Sequence, residues 1–291
     1  MSTAQSGTRG HGMTANEKRV VGYASTAHAL NHVIDLTYAA LLVYISKDFP
    51  DVSLVFLGTV ATASSLAYGI SAAAGGLLAD RVGSKRMLWI HLVATGLFAA
   101  LVAVSQSPWV MAATLTVLGL AAGMYHPVGL SFITRSVRER SMAVGYHGMA
   151  GSLGTAIAPA LAVFIARLWS WQGAYVVLGV VAVLAAVAVF ASRAREGMSA
   201  ERAQPEQASR PVERGRLLLA PLIAIFAVNM LGGFIYRGAL TYLPLHLKEN
   251  LGLHVLGITP EDLAGYVATI ALVLGIGGQY IGGWLGERVQ R

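Results

Sequence analysis

The chain has 291 residues, of which 55% are hydrophobic and 12% charged, and its mean hydropathy is +0.61. This composition is too apolar for an ordinary soluble domain and therefore indicates a membrane protein. The formal charge of +7 raises the question of a nucleic-acid partner, which the placement of the charges, described below, does not support. Because the chain contains no cysteine, disulfides and thiol chemistry are excluded.

Eight apolar runs follow one another along the chain, and each is long enough to cross a bilayer core, which takes about 20 helical residues. They cover residues 20–45, 54–78, 87–104, 109–133, 143–168, 171–191, 217–243 and 264–285. A helix satisfies its own backbone hydrogen bonds in lipid. We therefore predict an all-α integral membrane protein with eight spans.

The basic residues lie mostly between alternate spans, on one side of the predicted membrane. That side holds the Lys and Arg residues within 9–19, 81–86, 135–140, 193–216 and 288–291. The other side holds only Lys47, Arg167 and Lys248. The positive-inside rule then predicts cytoplasmic termini and a multi-pass protein of the cell (cytoplasmic) membrane. The lipid bilayer accounts for the charge, and no nucleic acid is expected as a partner.

The connection between the second and third spans combines a glycine-rich helix end, an acidic and basic pair, and a basic cluster. Its residues are Gly76, Asp80, Arg81, Gly83, Lys85 and Arg86. A related pattern recurs 207 positions later, at Gly283, Glu287 and Arg288. An internal repeat of this kind is typical of transporters whose two halves face each other across a central cavity. We expect Asp80 to accept hydrogen bonds from a neighbouring helix end or from Arg81, and so to act in gating.

This connection resembles the signature loop between helices 2 and 3 of the major facilitator superfamily. The resemblance implies the major facilitator fold, with two six-helix bundles joined by a cytoplasmic linker. On this chain it implies a cytoplasmic tail at 1–19, a six-helix bundle at 20–191, a linker at 192–216 and a partial second bundle at 217–291. Because only two spans follow the linker, the chain is expected to be C-terminally incomplete relative to that fold.

Polar residues inside the first span are the strongest candidates for a functional site. His28, Asn31, His32 and Asp35 fall on one face of the predicted helix. A charged side chain at membrane depth costs at least about 2.5 kcal/mol, so this face should line a water-filled cavity or find a partner. Asp35 is then either a proton- or substrate-coupled carboxylate or a structural hydrogen-bond partner between helices.

Further candidates for the substrate and proton cavity come from the fourth and seventh spans. His126 precedes Pro127, which frees a backbone carbonyl within the helix. In the seventh span the candidates are Asn229, Tyr236 and Arg237. Arg237 could hold an anionic substrate group bidentately, or it could extend to the membrane surface or pair with a carboxylate. His91 and His147 are expected near the membrane interface.

The fifth span carries small residues and a proline at spacings that resemble the antiporter signature of the drug-efflux branches of the superfamily. The residues at those spacings are Gly145, Gly154 and Pro159, whereas Ala158, Ala162 and Val163 stand where the signature has glycine.

Three short patterns resemble the fosmidomycin-resistance type of facilitator transporter. They are Ser25, His28, Asn31 and Ile34 in the first span, Tyr125-His126-Pro127 in the fourth, and Gly151, Gly154 and Pro159 in the fifth. That resemblance implies export of a small drug or anionic metabolite, driven by proton entry. The alternative is that the glycines only allow helices to pack closely.

The sequence therefore favours a secondary transporter that works by alternating access, with proton-coupled efflux of a drug or small anionic metabolite. Two alternatives remain open: a facilitator-type importer or uniporter of a metabolite or sugar, and a truncated membrane protein without transport activity. The sequence contains no nucleotide loop, nucleophile elbow or metal-ligand spacing, so no enzyme, metal site or cofactor is predicted. The proton gradient is the expected energy source, and a monomer the expected state.

Overall fold

A computed structural model describes residues 13–138, 140–197, 219–250 and 257–289 of the chain. In chain order its helices are α1 (Ala15–Ala40), α2 (Leu42–Asp48), α3 (Leu54–Val82), α4 (Ser84–Ala103), α5 (Pro108–Gly123), α6 (Tyr125–Ser136), α7 (Arg140–Leu168), α8 (Trp171–Ala191), α9 (Leu219–Asn250) and α10 (Pro260–Val289). The predicted linker begins where α8 ends, and its residues 198–216 lie outside the described part of the chain.

Local sequence signals explain where several of these helices begin. The Thr14 hydroxyl accepts a hydrogen bond from the Glu17 backbone N–H, and the Glu17 carboxylate accepts one from the Thr14 backbone, which makes a capping box for α1. The hydroxyls of Ser53, Ser107 and Ser170 cap α3, α5 and α8. Each cap satisfies a backbone N–H that has no partner within its helix, so these boundaries are encoded locally.

Five helices of the described residues are long and apolar enough to cross a membrane, when α5 and α6 are counted as one. They are α3, α4, the α5 and α6 pair, α7 and α8. A sixth is obtained if α1 and α2, which meet at a bend of 48°, form one broken span. These six correspond to the first six predicted spans. Helices α9 and α10, of 32 and 30 residues, lie where the last two are predicted, and the count of eight and the orientation of the termini stay predictions.

The helices pack in neighbouring pairs, with α1 along α7, α4 along α8, α3 along α5, and α10 against α7. Two apolar clusters form the core of the described chain. Along α1, one cluster uses side chains between Val20 and Ala27, and the other begins at Val33. The polar residues predicted on this helix therefore begin in the gap between two apolar layers.

The two ends of the bundle differ in charge. The end formed by the C-termini of α3 and α6 and the start of α4, here called the basic end, carries Arg81, Lys85, Arg86, Arg135 and Arg138. The opposite end, here called the far end, is formed by α2, the C-terminus of α9 and the N-terminus of α10. Between the ends, large apolar side chains such as Ile70 and Phe190 are exposed on the outer surface, as expected for contact with lipid.

Candidate functional site in a polar cavity

A cavity of about 530 Å³ lies between α9 and the helices α1, α3, α6 and α7. Its polar lining residues are His32, Asp35, Thr62, Ser65, Tyr68, His126, Thr155, Tyr236, Arg237, Thr241 and Tyr242. Five of the eight residues predicted for the substrate and proton cavity therefore line it. His28 and Asn31 are buried behind this wall, so the polar face of α1 is only partly open to the cavity.

Asp35 on α1 and Arg237 on α9 form a bidentate ion pair in the cavity wall. Arg237 donates from Nη1 to Oδ2 of Asp35 at 2.5 Å and from Nη2 to Oδ1 at 2.9 Å. The side chains of Arg237 and Asp35 are only 24% and 11% exposed, so water screens the pair poorly. Arg237 Nε is buried and has no hydrogen-bond partner among the described residues. Of the interpretations of Arg237 from the sequence, pairing with a carboxylate is the one found, and it leaves the Nε–H donor without a partner among the described residues.

Asn31 connects the first helix to α3 beside this ion pair. Its Nδ2 donates a hydrogen bond at 3.0 Å to the hydroxyl of Tyr68, which lines the cavity. Asn31 is almost completely buried, and its Oδ1 has no partner among the described residues. The amide therefore positions Tyr68 rather than contacting the cavity itself.

Imidazole rings from three helices pack together on the same side of the cavity. His28 donates from Nδ1 to the backbone carbonyl of His147 at 2.7 Å, because a carbonyl can only accept. His28 Nε2 lies 3.1 Å from Nε2 of His32, and the His126 ring lies edge-on to His28. The ring of Tyr125 stacks on His28 as well. Sequence spacing could indicate the pair on α1 but not the rings that α6 and α7 add.

Two histidines near the starts of α4 and α7 are covered by neighbouring helices. His147 is 6% exposed and stacks on His28, and His91 is completely buried with Nδ1 2.9 Å from the carbonyl of Ala121. Burial among helices does not set the depth of a side chain in the membrane, so the expectation that both lie near the interface stays a prediction. Distance from the end of an apolar run does not reveal which neighbouring helix covers a side chain, and here α1 and α5 provide that cover.

Several hydroxyl groups that line the cavity already donate a hydrogen bond to the backbone. Thr62, Ser65, Thr155 and Thr241 each donate to the carbonyl four residues earlier in their own helix. Such a hydroxyl keeps its lone pairs and can act only as an acceptor toward a bound molecule. The cavity therefore offers acceptor oxygens for donor groups as well as a guanidinium for anions.

The glycines predicted on the fifth span divide into two kinds. A Cβ added at Gly151 would lie 2.3 Å from the His28 ring, and one added at Gly154 would lie 2.4 Å from the carbonyl of Ala29. A Cβ at Gly145 would meet nothing within 4 Å. Gly151 and Gly154 thus let α7 approach α1 closely, which accounts for them by packing.

Pro159 lies inside α7 and cannot donate a backbone hydrogen bond. The next residue, Ala160, donates its backbone N–H at 2.9 Å to the hydroxyl of Thr269 on α10. The irregular turn of α7 is therefore a contact point with α10.

The predicted signature loop turns the chain at the basic end. Gly83 has φ of +98°, a conformation that favours glycine, between α3 and α4. Asp80 accepts a hydrogen bond at 2.5 Å from Arg135 at the end of α6. Of the two partners predicted for Asp80, the structure therefore contains the neighbouring helix end. Arg81 and Arg86 are exposed, and Gly76 is half-buried against α6.

Lys85 and Glu196 tie the start of α4 to the segment that follows α8. Lys85 donates from Nζ to the carbonyl of Ser192 at 2.7 Å, and its backbone N–H donates to the Glu196 carboxylate at 3.1 Å. Glu196 also lies 3.6 Å from Arg135, the partner of Asp80. The signature loop is thus one part of a small charged network at the basic end.

A second charged network, which the sequence did not single out, lies at the far end. Glu261 in the first turn of α10 is within 3.0 Å of Lys47 on α2 and 3.2 Å of Lys248 on α9. Burial alone would raise the pKa of Glu261, but hydrogen bonds from its own backbone, Lys47 and Lys248 outweigh this effect and lower the pKa to about 2. The adjacent Asp262 accepts a hydrogen bond from Tyr44. These contacts join α10 to α2 and α9.

For four predicted site residues the structure describes only the helix in which they lie. They are Asn229, Gly283, Glu287 and Arg288. Their backbone positions lie in α9 and α10, as expected from the predicted spans, and their proposed roles stay predictions.

Comparison with known proteins identifies the family. The sequence model that describes the Major Facilitator Superfamily matches residues 24–291, which is most of the chain. The chain belongs to this superfamily. Its predicted multi-pass membrane location is confirmed by this match together with the long apolar helices, and the predicted class of fold is confirmed with it.

Several of the matched relatives are transporters by name, whereas the membrane sensor protein UhpC of Escherichia coli also matches, at 26% identity over 130 residues. The probable sulfoacetate transporter SauU of Cupriavidus necator is 27% identical over 250 residues, which cover 81% of this chain and 57% of that protein. The probable L-galactonate transporter of Escherichia coli is 22% identical over 300 residues, covering 94% and 64%. The hexuronate transporter of the same species is 30% identical over 127 residues, covering 43% and 29%. The chain thus spans less than two thirds of the length of each of these three proteins.

Two solved structures share the fold. A bacterial homolog of the human lysosomal transporter Spinster aligns with a TM-score of 0.70 at 15% identity, covering 95% of this chain and 62% of that one. A bacterial homologue of the human drug peptide transporters PepT1 and PepT2 aligns with a TM-score of 0.62 at 16% identity, covering 91% and 71%. The prediction that the chain is not an enzyme is confirmed by its family and these relatives, whereas the fosmidomycin-resistance subgroup is not confirmed.

Proposed function

We propose that the protein is a secondary transporter of small organic anions, which cross the cytoplasmic membrane by alternating access. The observation that carries this proposal is the Asp35–Arg237 pair in the cavity wall. Water screens the Arg237 guanidinium poorly, and one carboxylate binds it. A second carboxylate or a sulfonate can compete with Asp35 for this guanidinium. The names of the relatives support the same class, because sulfoacetate, L-galactonate and hexuronates are small anions.

The hydroxyl lining favours an anion that also carries hydroxyl groups. Thr62, Ser65, Thr155 and Thr241 offer acceptor oxygens, and a polyhydroxylated acid supplies the matching donors. An anion without hydroxyls would leave these acceptors unpaired in the cavity. Within the proposed class we therefore place sugar acids before simple sulfonates.

We further propose that Asp35 couples anion binding to a proton. While Asp35 is charged, it holds Arg237 by two hydrogen bonds. A proton on Asp35 removes that attraction and frees the guanidinium for a substrate anion. Proton and anion then favour each other's binding by linkage. A cavity that binds both together and opens to the other side carries them in the same direction. This mechanism is symport, whereas the sequence resemblance implied efflux.

Proteoliposomes with an imposed pH gradient test this function. Labelled L-galactonate and sulfoacetate are offered outside at acidic pH, with and without an uncoupler. We expect accumulation that the uncoupler abolishes, with galactonate preferred. Uptake that the uncoupler leaves unchanged would indicate a uniporter, and expulsion driven by proton entry would indicate efflux. Transport of neither anion would contradict the proposed substrate class.

A further inference from the structure

Three imidazole nitrogens from two helices converge beside the cavity. The Nε2 atoms of His28 and His32, one turn apart on α1, are 3.1 Å from each other. One nitrogen from each of these rings and one from His126 on α6 all lie within 4.8 Å of one another. Tetrahedral coordination with Zn–N bonds of about 2.0–2.1 Å separates ligand nitrogens by about 3.3 Å. His28 and His32 are thus already near the ligating separation, and the His126 nitrogen lies within 4.8 Å of both.

The surroundings of His28 fix the nitrogen that a cation would use. Its Nδ1–H donates to the carbonyl of His147 at 2.7 Å, so its Nε2 presents a lone pair toward His32. The ring packs against the rings of Tyr125 and His147, and Gly151 leaves the space that it occupies. A carbonyl that orients the second nitrogen of an imidazole is the usual outer partner of a metal-ligating histidine.

From this geometry we infer that His28, His32 and His126 bind a divalent transition-metal cation of the class of Zn²⁺. Neutral imidazole is a ligand suited to that class. His32 and His126 line the cavity, so the fourth coordination position opens into it and takes water or an anion. The nearby carboxylate of Asp35 is occupied by Arg237 and leaves a site of three nitrogens.

This inference departs from the sequence-based expectation of no metal site. The ligands come from two helices that are far apart in the chain, and only the spacing of His28 and His32 is visible in the sequence. The inference does not depend on anion transport, and its test needs no transport assay. The competing explanation is that His32 donates a hydrogen to His28 and the cluster holds no cation.

Calorimetric titration of the chelator-treated protein in detergent with Zn²⁺ tests the site. We expect one ion per chain, and a more than tenfold loss of affinity in His32→Gln and in His126→Gln. The matched control is His246→Gln, which changes an exposed histidine of α9 outside the cluster and should leave the affinity unchanged. Absence of binding, or equal affinity in the His32 variant and the unaltered chain, would overturn the inference.

A second measurement uses the unaltered chain and is therefore independent of whether the variants fold. Histidines are modified with diethyl pyrocarbonate in the presence and absence of Zn²⁺, and modification is mapped by mass spectrometry. We expect Zn²⁺ to protect His32 and His126 at least severalfold while His246 is modified equally in both samples. Unchanged modification of His32 and His126 would also overturn the inference.

Discussion

Arg237 and Asp35 are separated by 202 positions in the chain, yet two hydrogen bonds join their side chains across the wall of the cavity. The pair connects α9 to α1, which belong to the two halves predicted from the internal repeat. Removing one partner of a buried ion pair costs about 3–5 kcal/mol, because the other charge remains without compensation. The pair therefore also holds α9 against α1, and a proton or a competing anion would loosen this contact.

The substitution Asp35→Asn keeps the size of the side chain and removes its charge. We expect uphill accumulation of substrate to be abolished, whereas binding and downhill exchange persist, because Arg237 is no longer held by an anion. Uptake driven by a pH gradient and counterflow are measured in the same proteoliposomes, with Asp51→Asn in an exposed segment as the control. Uphill transport with unchanged pH dependence would assign Asp35 a structural role.

The pair of Asp80 and Arg135 leads to a prediction about gating. Both side chains are largely exposed, and exposed ion pairs contribute only about 0–1 kcal/mol to stability. We expect Asp80→Asn to reduce transport, because the contact favours a conformation closed at the basic end, with little change in protein abundance.

Arg135→Gln is the matched variant, since it removes the same contact from the other side. The transport rate of the double variant Asp80→Asn/Arg135→Gln should be no lower than that of either single variant. A double-mutant cycle of transport rates, with protein abundance measured alongside, tests this expectation. Normal transport by Asp80→Asn would exclude the gating role.

Close packing of α1 and α7 predicts different outcomes at two glycines of the same helix. Gly154→Ala places a methyl group against the Ala29 carbonyl and should destabilise the protein by about 1–3 kcal/mol, the usual cost of overpacking. Gly145→Ala has open space and should be neutral or slightly stabilising, because alanine favours a helix. Thermal unfolding in detergent measures both. Equal effects would contradict the packing explanation.

The depressed pKa of Glu261 predicts how the far-end network responds to acid. A carboxylate whose pKa falls from 4.5 to about 2 on folding stabilises the folded state above pH 4.5, and this contribution is lost as the pH falls through 2. Glu261→Gln should therefore lower Tm at neutral pH, and its difference from the unaltered chain should shrink as the pH falls from about 5 toward 2.

The control for this series is Glu249→Gln, at an exposed position near the end of α9. Surface substitutions of this kind usually change stability by less than about 0.5 kcal/mol. Thermal unfolding at several pH values compares the three proteins, and a Tm difference at Glu261 that does not vary with pH would show that the carboxylate charge is not involved.

Much of the fold could be predicted because hydropathy and caps act locally. The span predicted at 171–191 coincides with α8, where a run that is apolar except for Gln172 is bounded by Ser170 and Ser192. The bend at Leu41 could not be predicted, since the segment around it contains neither glycine nor proline and continues the apolar pattern. Nothing in the local sequence explains that bend.

The candidate site was predictable on one helix and not between helices. Helical spacing placed His32 and Asp35 on a common face, and both line the cavity. The sequence left the partner of Arg237 open, because pairing across 202 positions depends on how α9 packs against α1. The same limit concealed His147, whose contact with His28 depends on the close approach of α7.

The central claim is that Arg237 binds the substrate anion, and equilibrium binding tests it most directly. The affinity for L-galactonate is measured by calorimetry for the unaltered protein, Arg237→Lys, Arg237→Gln and the double variant Asp35→Asn/Arg237→Gln. The double variant removes both charges and so avoids an unpaired buried carboxylate. We expect Arg237→Gln and the double variant to lose at least about 30-fold, the equivalent of 2 kcal/mol for a desolvated charged partner, and Arg237→Lys to lose less. Unchanged affinity in the double variant would contradict the account.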